Sequence, residues 1–123
     1  MQKYTIYQPN NEFKYFFEKY KQAIYFFDEI KENNSFYSNQ LENVFEATKH
    51  INEQLYMRLN QRSDYTYKNN IHTITNKLTS EIYKCIVNEY SIEIYASKKS
   101  NIFFDILCKK QKNCVIIEKH WIK

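Results

Sequence analysis

The 123-residue chain contains no glycine and a single proline, Pro9. Glycine enters left-handed backbone at no steric cost, so a chain without it must build every positive-φ turn from Asn or Asp, the next most tolerant residues. Phosphate-cradling loops that depend on glycine are excluded outright, and no cofactor is expected. Average proteins carry about 7% glycine, so zero is a real deviation. The abundant Lys, Asn, Ile, Tyr and Phe have AT-rich codons, whereas Gly, Ala and Pro have GC-rich ones. The composition therefore points to an AT-rich genome or mobile element.

The chain still has what a folded domain needs. Hydrophobic residues make up 43% and aromatic residues 18%, including 12 Tyr and 9 Phe, the opposite of a disordered profile. The length fits one domain over residues 1–123. Three cysteines, Cys85, Cys108 and Cys114, form an odd set without an apolar leader at Met1–Thr5. No stretch approaches the ~20 apolar residues of a membrane span. A reducing, cytoplasmic setting away from membranes is expected. The net charge is +4. Seven lysines against Asp105 and Glu118 make residues 97–123 basic, while residues 1–96 are close to neutral.

Periodicity predicts the elements. Residues 3–8 alternate and read as a short strand, ended by Pro9-Asn10-Asn11. Phe13, Phe16, Phe17, Tyr20, Ile24 and Phe27 form the apolar stripe of a first helix that closes at Asn33-Asn34. Leu41, Val44, Phe45, Thr48, Leu55 and Leu59 predict a second, long helix over 36–61. Residues 62–70 are polar and aperiodic and read as a loop. Ile71, Ile74, Leu78, Ile82, Cys85 and Ile86 predict a third helix, despite the β-branched Thr73, Thr75 and Thr79. After Tyr90 the period becomes two, predicting strands at 92–96, 102–108 and 114–122, the last two joined by a hairpin loop at 109–113. The expected fold class is α+β, three helices packed on a small antiparallel sheet in the order β-α-α-α-β-β-β. Phe16, Phe17, Tyr20, Leu41, Phe45, Leu55, Leu78, Ile82, Phe104, Val115 and Ile117 are the expected core.

Chemistry-bearing patterns are weak. Cys108, Cys114 and His120 are spaced by six, with Cys85 as a fourth candidate. On a straight strand Cys114 and His120 would stand about 20 Å apart, too far for one zinc ion, so no metal is expected. Glu46, His50 and Glu53 share a face of the second predicted helix, but opposite its apolar stripe, where a solvated face explains them. Cys85 lies within an apolar stripe, and neither His72 nor His120 has a local partner marking it as a base, so no enzyme is expected.

Two surfaces are left as binding candidates. Arg58 and Arg62, the only arginines, lead into a loop bearing Tyr65, Tyr67 and Lys68, and Tyr and Arg are the residues enriched at binding hot spots. Tyr15 and Phe26 project outside the first helix's core stripe, with Tyr25 on its other flank, either as a partner surface or, the favoured account, packed between the second helix and the sheet. Binding to another protein is therefore the leading expectation, the chain serving as a stoichiometric inhibitor, immunity or adaptor protein. The alternative is nucleic acid. Over residues 36–123 the element order resembles a winged helix, with Lys109, Lys110 and Lys112 at the tip of the hairpin wing. The second helix is long for that architecture, and a pI of 8.8 is modest for a DNA-binding domain. The oligomeric state is left open.

Overall fold

A computed structural model describes residues 2–25, 41–97, 101–108 and 115–120. Among them the chain runs β1 (Gln2–Tyr7), α1 (Asn11–Lys19), α2 (Leu41–Val44), α3 (Ile51–Leu59), β2 (Tyr65–Lys68), β3 (Ile71–Thr75), β4 (Ile82–Val87), β5 (Ile92–Ala96), α4 (Ile102–Cys108) and β6 (Val115–His120). The strands form one sheet in the order β2-β3-β4-β5-β1-β6, and each neighbouring pair is antiparallel. The fold is α+β, but the expected β-α-α-α-β-β-β order is corrected.

The N-terminal strand is where alternation places it, and it lies inside the sheet. Tyr4 pairs with Ile94 on one side and with Glu118 on the other. Tyr4, Thr5, Ile6 and Tyr7 are all buried, as a strand covered on both faces requires.

The largest correction falls on residues 71–87, expected as a helix and found as the antiparallel hairpin β3–β4. Four β-branched residues in the first five, Ile71, Thr73, Ile74 and Thr75, favour a strand. The apparent helical stripe is two strands of different phase. Ile74 and Cys85 are buried, whereas Leu78 is 97% exposed at the connecting turn and Ile82 faces outward. That turn is held by Asn76, whose Oδ1 accepts the N–H groups of Leu78 and Thr79. Ser80 supplies its positive φ of 60°.

The polar stretch expected as a loop contains β2, joined to β3 by Asn69 and Asn70 at φ 50° and 65°. Asparagine thus takes the left-handed role that glycine usually fills. The long second helix is broken. Phe45 leaves the helix to bridge Pro9, and the Thr48 hydroxyl donates to the carbonyl of Asn88, so helix resumes only at Ile51. Residues 102–108 form a helix, not a strand. Asn101 Oδ1 accepts the N–H groups of Phe103 and Phe104, capping the first turn. The expected pairing of 102–108 with 114–122 is therefore absent, and β6 pairs with β1 instead. Residues 109–113 lie outside the described residues.

Helices α3 and α4 cover one face of the sheet. Ile51, Leu55 and Leu59 from α3 and Phe103, Phe104 and Leu107 from α4 close over Tyr4, Ile6, Ile74, Cys85, Val87, Ile92 and Ile94. On the opposite face Tyr7 meets Phe17, Ile24, Val44 and Phe45. Phe45 stacks on Phe17 at 5.5 Å and lies 4.8 Å from the Tyr7 ring. Of the expected core, Phe17, Phe45, Leu55 and Phe104 are buried, while Phe16, Tyr20, Leu78 and Ile82 are exposed. The α1 stripe fails because the helix ends at Tyr20, which breaks the phase that the stripe assumed. Tyr15 and Tyr25 are exposed, not packed between the second helix and the sheet as expected. Phe26 and Phe27 lie outside the described residues, as do the side chains of Leu41, Val115 and Ile117.

Because Phe45 joins Tyr7, Phe17 and the Pro9 bridge, replacing it with Ala should destabilise the fold by ~3–5 kcal/mol, the range for deleting a packed aromatic. Urea unfolding of the Phe45→Ala protein checks this; a loss below ~1 kcal/mol would show that the second cluster is not cooperative with the sheet.

Candidate functional site

The two-residue Asn69-Asn70 turn sets the register of the β2–β3 hairpin, with Lys68 opposite Ile71 and Tyr67 opposite His72. In an antiparallel pair, hydrogen-bonded and non-hydrogen-bonded residue pairs alternate, and side chains approach most closely in the latter. Asp64 accepts the Thr75 N–H, which makes Tyr67–His72 one of the close pairs. The rings lie parallel, 4.2 Å apart and 5° from coplanar. Tyr65, two residues earlier on the same face, stacks on His72 at 5.9 Å.

His72 is buried, and both of its ring nitrogens are engaged. Tyr65 Oη lies 2.7 Å from Nδ1, and Asn52 Oδ1 lies 2.8 Å from Nε2. The Asn52 amide nitrogen donates to Asn70 Oδ1 at 2.9 Å. Asn52 therefore presents its oxygen to the ring, so Nε2 carries the proton and Nδ1 accepts from the Tyr65 hydroxyl. The chain of donors runs Tyr65 to His72 to Asn52 to Asn70, linking β2, β3, α3 and the hairpin turn. Burial holds the imidazole neutral, its pKa lowered to about 4. Burial, followed by the neighbouring Tyr67 and Tyr56 hydroxyls, pushes the Tyr65 phenol up to about 12.

Cys85 stands opposite His72 on β4, a pairing that invites a nucleophile–base reading. Yet Cys85 is fully buried, burial pushes its thiol pKa upward, and the imidazole has no nitrogen left for it. Activated cysteines need the reverse of these conditions.

The structure brings together two of the five expected binding residues. Tyr65 and Tyr67 converge with Tyr56 of α3, whose ring centroid is 6.5 Å from Tyr65 and 5.9 Å from Tyr67. Lys68 alternates to the other face of β2. Arg58 is two residues from Tyr56, a rotation of about 200° on a helix, so it leaves by the other flank. Arg62 is engaged by Asp64 through two 2.9 Å contacts, Nε to Oδ1 and Nη2 to Oδ2. That bidentate pair raises the guanidinium pKa and lowers the carboxyl pKa. Tyr56, at 47% exposure, and Tyr67 at 39% form an exposed aromatic pair, and Met57, the next residue of α3, is 70% exposed.

Sequence reasoning missed Tyr56, His72, Asn52 and Asn70. The available signal was Tyr-x-Tyr, then Asn-Asn, then a β-branched run, the signature of a hairpin. Among the other candidates, Glu46 lies outside α3, and Glu46, His50 and Glu53 are exposed. The metal argument rests on Cys114 and His120 sharing one strand; His120 ends β6, while Cys108, expected at the end of another strand, ends α4. Cys114, Lys109, Lys110 and Lys112 lie outside the described residues. Among the described residues no group of three or more His, Cys, Asp or Glu side chains could hold a metal ion.

Replacing Tyr65 with Phe strands Nδ1 of His72 and should cost ~1–3 kcal/mol in urea unfolding, the penalty for an unpaired buried acceptor. The clasp should also carry a pH signature. The folded imidazole titrates near 4, below the ordinary value of ~6.5 in the unfolded chain. Its stabilisation is thus complete above pH ~6.5 and declines as pH falls toward 4, because only the unfolded state takes up the proton. An NMR titration should show the His72 ring neutral through pH ~5; a ring titrating near 6.5 would sink the buried-neutral assignment. Comparison of the sequence with protein-family models and with curated proteins finds no match in either set.

Proposed function

We propose that the chain is a non-catalytic protein-binding domain, a stoichiometric inhibitor, immunity or adaptor protein, docking its partner on the exposed pair of Tyr56 and Tyr67. The observation that carries this reading is the Tyr67 ring, lying flat on a buried imidazole whose nitrogens are both tied. A half-exposed aromatic held in one orientation loses little further freedom on binding, and such residues are the usual anchors of protein interfaces. The shielded Cys85 thiol and the occupied His72 support a binding role over a catalytic one.

A buried free thiol fits a reducing compartment, and the proposal places the protein in the cytoplasm. No helix among the described residues is long and apolar enough to cross a membrane. The nucleic-acid alternative has lost the winged-helix order, since its third helix is the β3–β4 hairpin. Its remaining support is the basic charge of residues 97–123.

A photo-crosslinking amino acid at Tyr67 identifies the partner in the native host, and the purified partner is then titrated. Tyr67→Ala should weaken binding about 30-fold, equivalent to a hot spot of ~2 kcal/mol. Neutralising Lys109, Lys110 and Lys112 together should mainly slow association, as rim charges do. Tight binding to duplex DNA at physiological salt, lost on the triple lysine change and untouched by Tyr67→Ala, would overturn the proposal.

A further inference from the structure

Among the described strands β2 lies at the edge of the sheet. Asp64, Thr66 and Lys68 turn their backbone groups inward to β3, which follows from the Lys68–Ile71 register and the Asp64–Thr75 hydrogen bond. The backbone of Tyr65 and Tyr67 therefore faces outward. The Tyr65 N–H makes a long 3.4 Å contact to the Arg62 carbonyl. That leaves the Tyr65 carbonyl and both backbone groups of Tyr67 directed away from the sheet, with no proline in the strand. Such an edge is a template for another strand.

The sequence of this edge states which strand. Asp64-Tyr65-Thr66-Tyr67-Lys68 reads the same from either end except that its termini carry opposite charges. We propose that β2 pairs antiparallel with β2 of a second copy of this chain, about a two-fold axis at Thr66, joining two six-stranded sheets into one. This register sets Tyr67 opposite Tyr65 of the second copy, where the outward groups can bond. It also sets Asp64 opposite Lys68 twice, by symmetry. Lysine on an edge ordinarily repels a neighbouring edge; here the register turns it into a cross-strand partner. Tyr65 and Tyr67 of both copies share the face that carries Tyr56. The inference rests on the same docking surface as the proposed function and names a second copy as an occupant of it.

Sedimentation velocity over micromolar to millimolar concentrations reads the association. The wild-type chain should form a dimer as concentration rises. Lys68→Asp and Asp64→Lys each place like charges opposite one another, and each variant alone should dissociate about 10-fold more readily, an effect of ~1.4 kcal/mol. Mixed in equal amounts they present Asp-Asp to Lys-Lys, and the heterodimer should recover the lost affinity. Circular dichroism checks that both variants fold. A wild-type chain that stays monomeric throughout would overturn self-pairing and return the edge to a foreign strand. A dimer indifferent to both substitutions, or a folded mixture that does not recover, would also overturn it. A monomeric chain whose purified partner still loses affinity on Tyr67→Ala separates failure of self-pairing from failure of the docking surface.

Discussion

The Asn69-Asn70 turn takes both residues into left-handed backbone without glycine, and its two-residue length leaves Lys68 opposite Ile71 with no slack. Everything on β2 takes its phase from that pairing. A slip of one residue would exchange the faces of Tyr67 and Lys68, removing the ring that covers His72. The same phase decides which backbone groups bond inward to β3 and which point outward from the edge. A local requirement of the backbone thus fixes a surface several residues away.

His72 converts the hairpin's register into a tertiary lock. Its ring accepts from β2 and donates to α3, and Asn52 then reaches back to the turn that set the register. A buried polar chain of this kind is stabilising only when every member is satisfied, and no buried side-chain nitrogen or oxygen among the described residues lacks a partner. Helix α3 is only nine residues long, short for an isolated helix. Its position comes from Ile51, Leu55 and Leu59 in the core and from Asn52 at the clasp. The tyrosine patch inherits that rigidity, since Tyr56 lies on the helix and Tyr67 on the strand.

Some of this was legible in the residues. The alternation of 3–8 marks β1, and the absence of glycine assigns the left-handed turn to asparagine, as Asn69 and Asn70 show. Phe17 and Phe45 are in the core as expected, although the helical stripes that placed them there break at Tyr20 and at Phe45. Residues 71–87 were misread because two strands of opposite phase placed isoleucines at intervals of three and four, which a single-period test takes for a helix. Residues 102–108 form an unbroken apolar run, and periodicity cannot divide such a run between strand and helix; the Asn101 cap decides it. Tyr65 and Tyr67 were singled out through composition, but Tyr56 lay hidden on the polar flank of a helix. Arg58 was grouped with them by proximity in sequence, which the helical turn undoes.

The central place of β1 bears on how the chain comes to fold. Its hydrogen-bonding partners are β5 and β6, so Tyr4 waits for Ile94 and Glu118, which the ribosome adds much later. Loop closure over such a separation is entropically expensive and slows folding. Until then a strand with four consecutive residues destined for burial has both edges open, the state most prone to joining the wrong neighbour. The β3–β4 and β4–β5 hairpins need no such delay, since their partners are adjacent in sequence. Assembly that begins there and admits β1 last makes the middle of the sheet a late event in its formation.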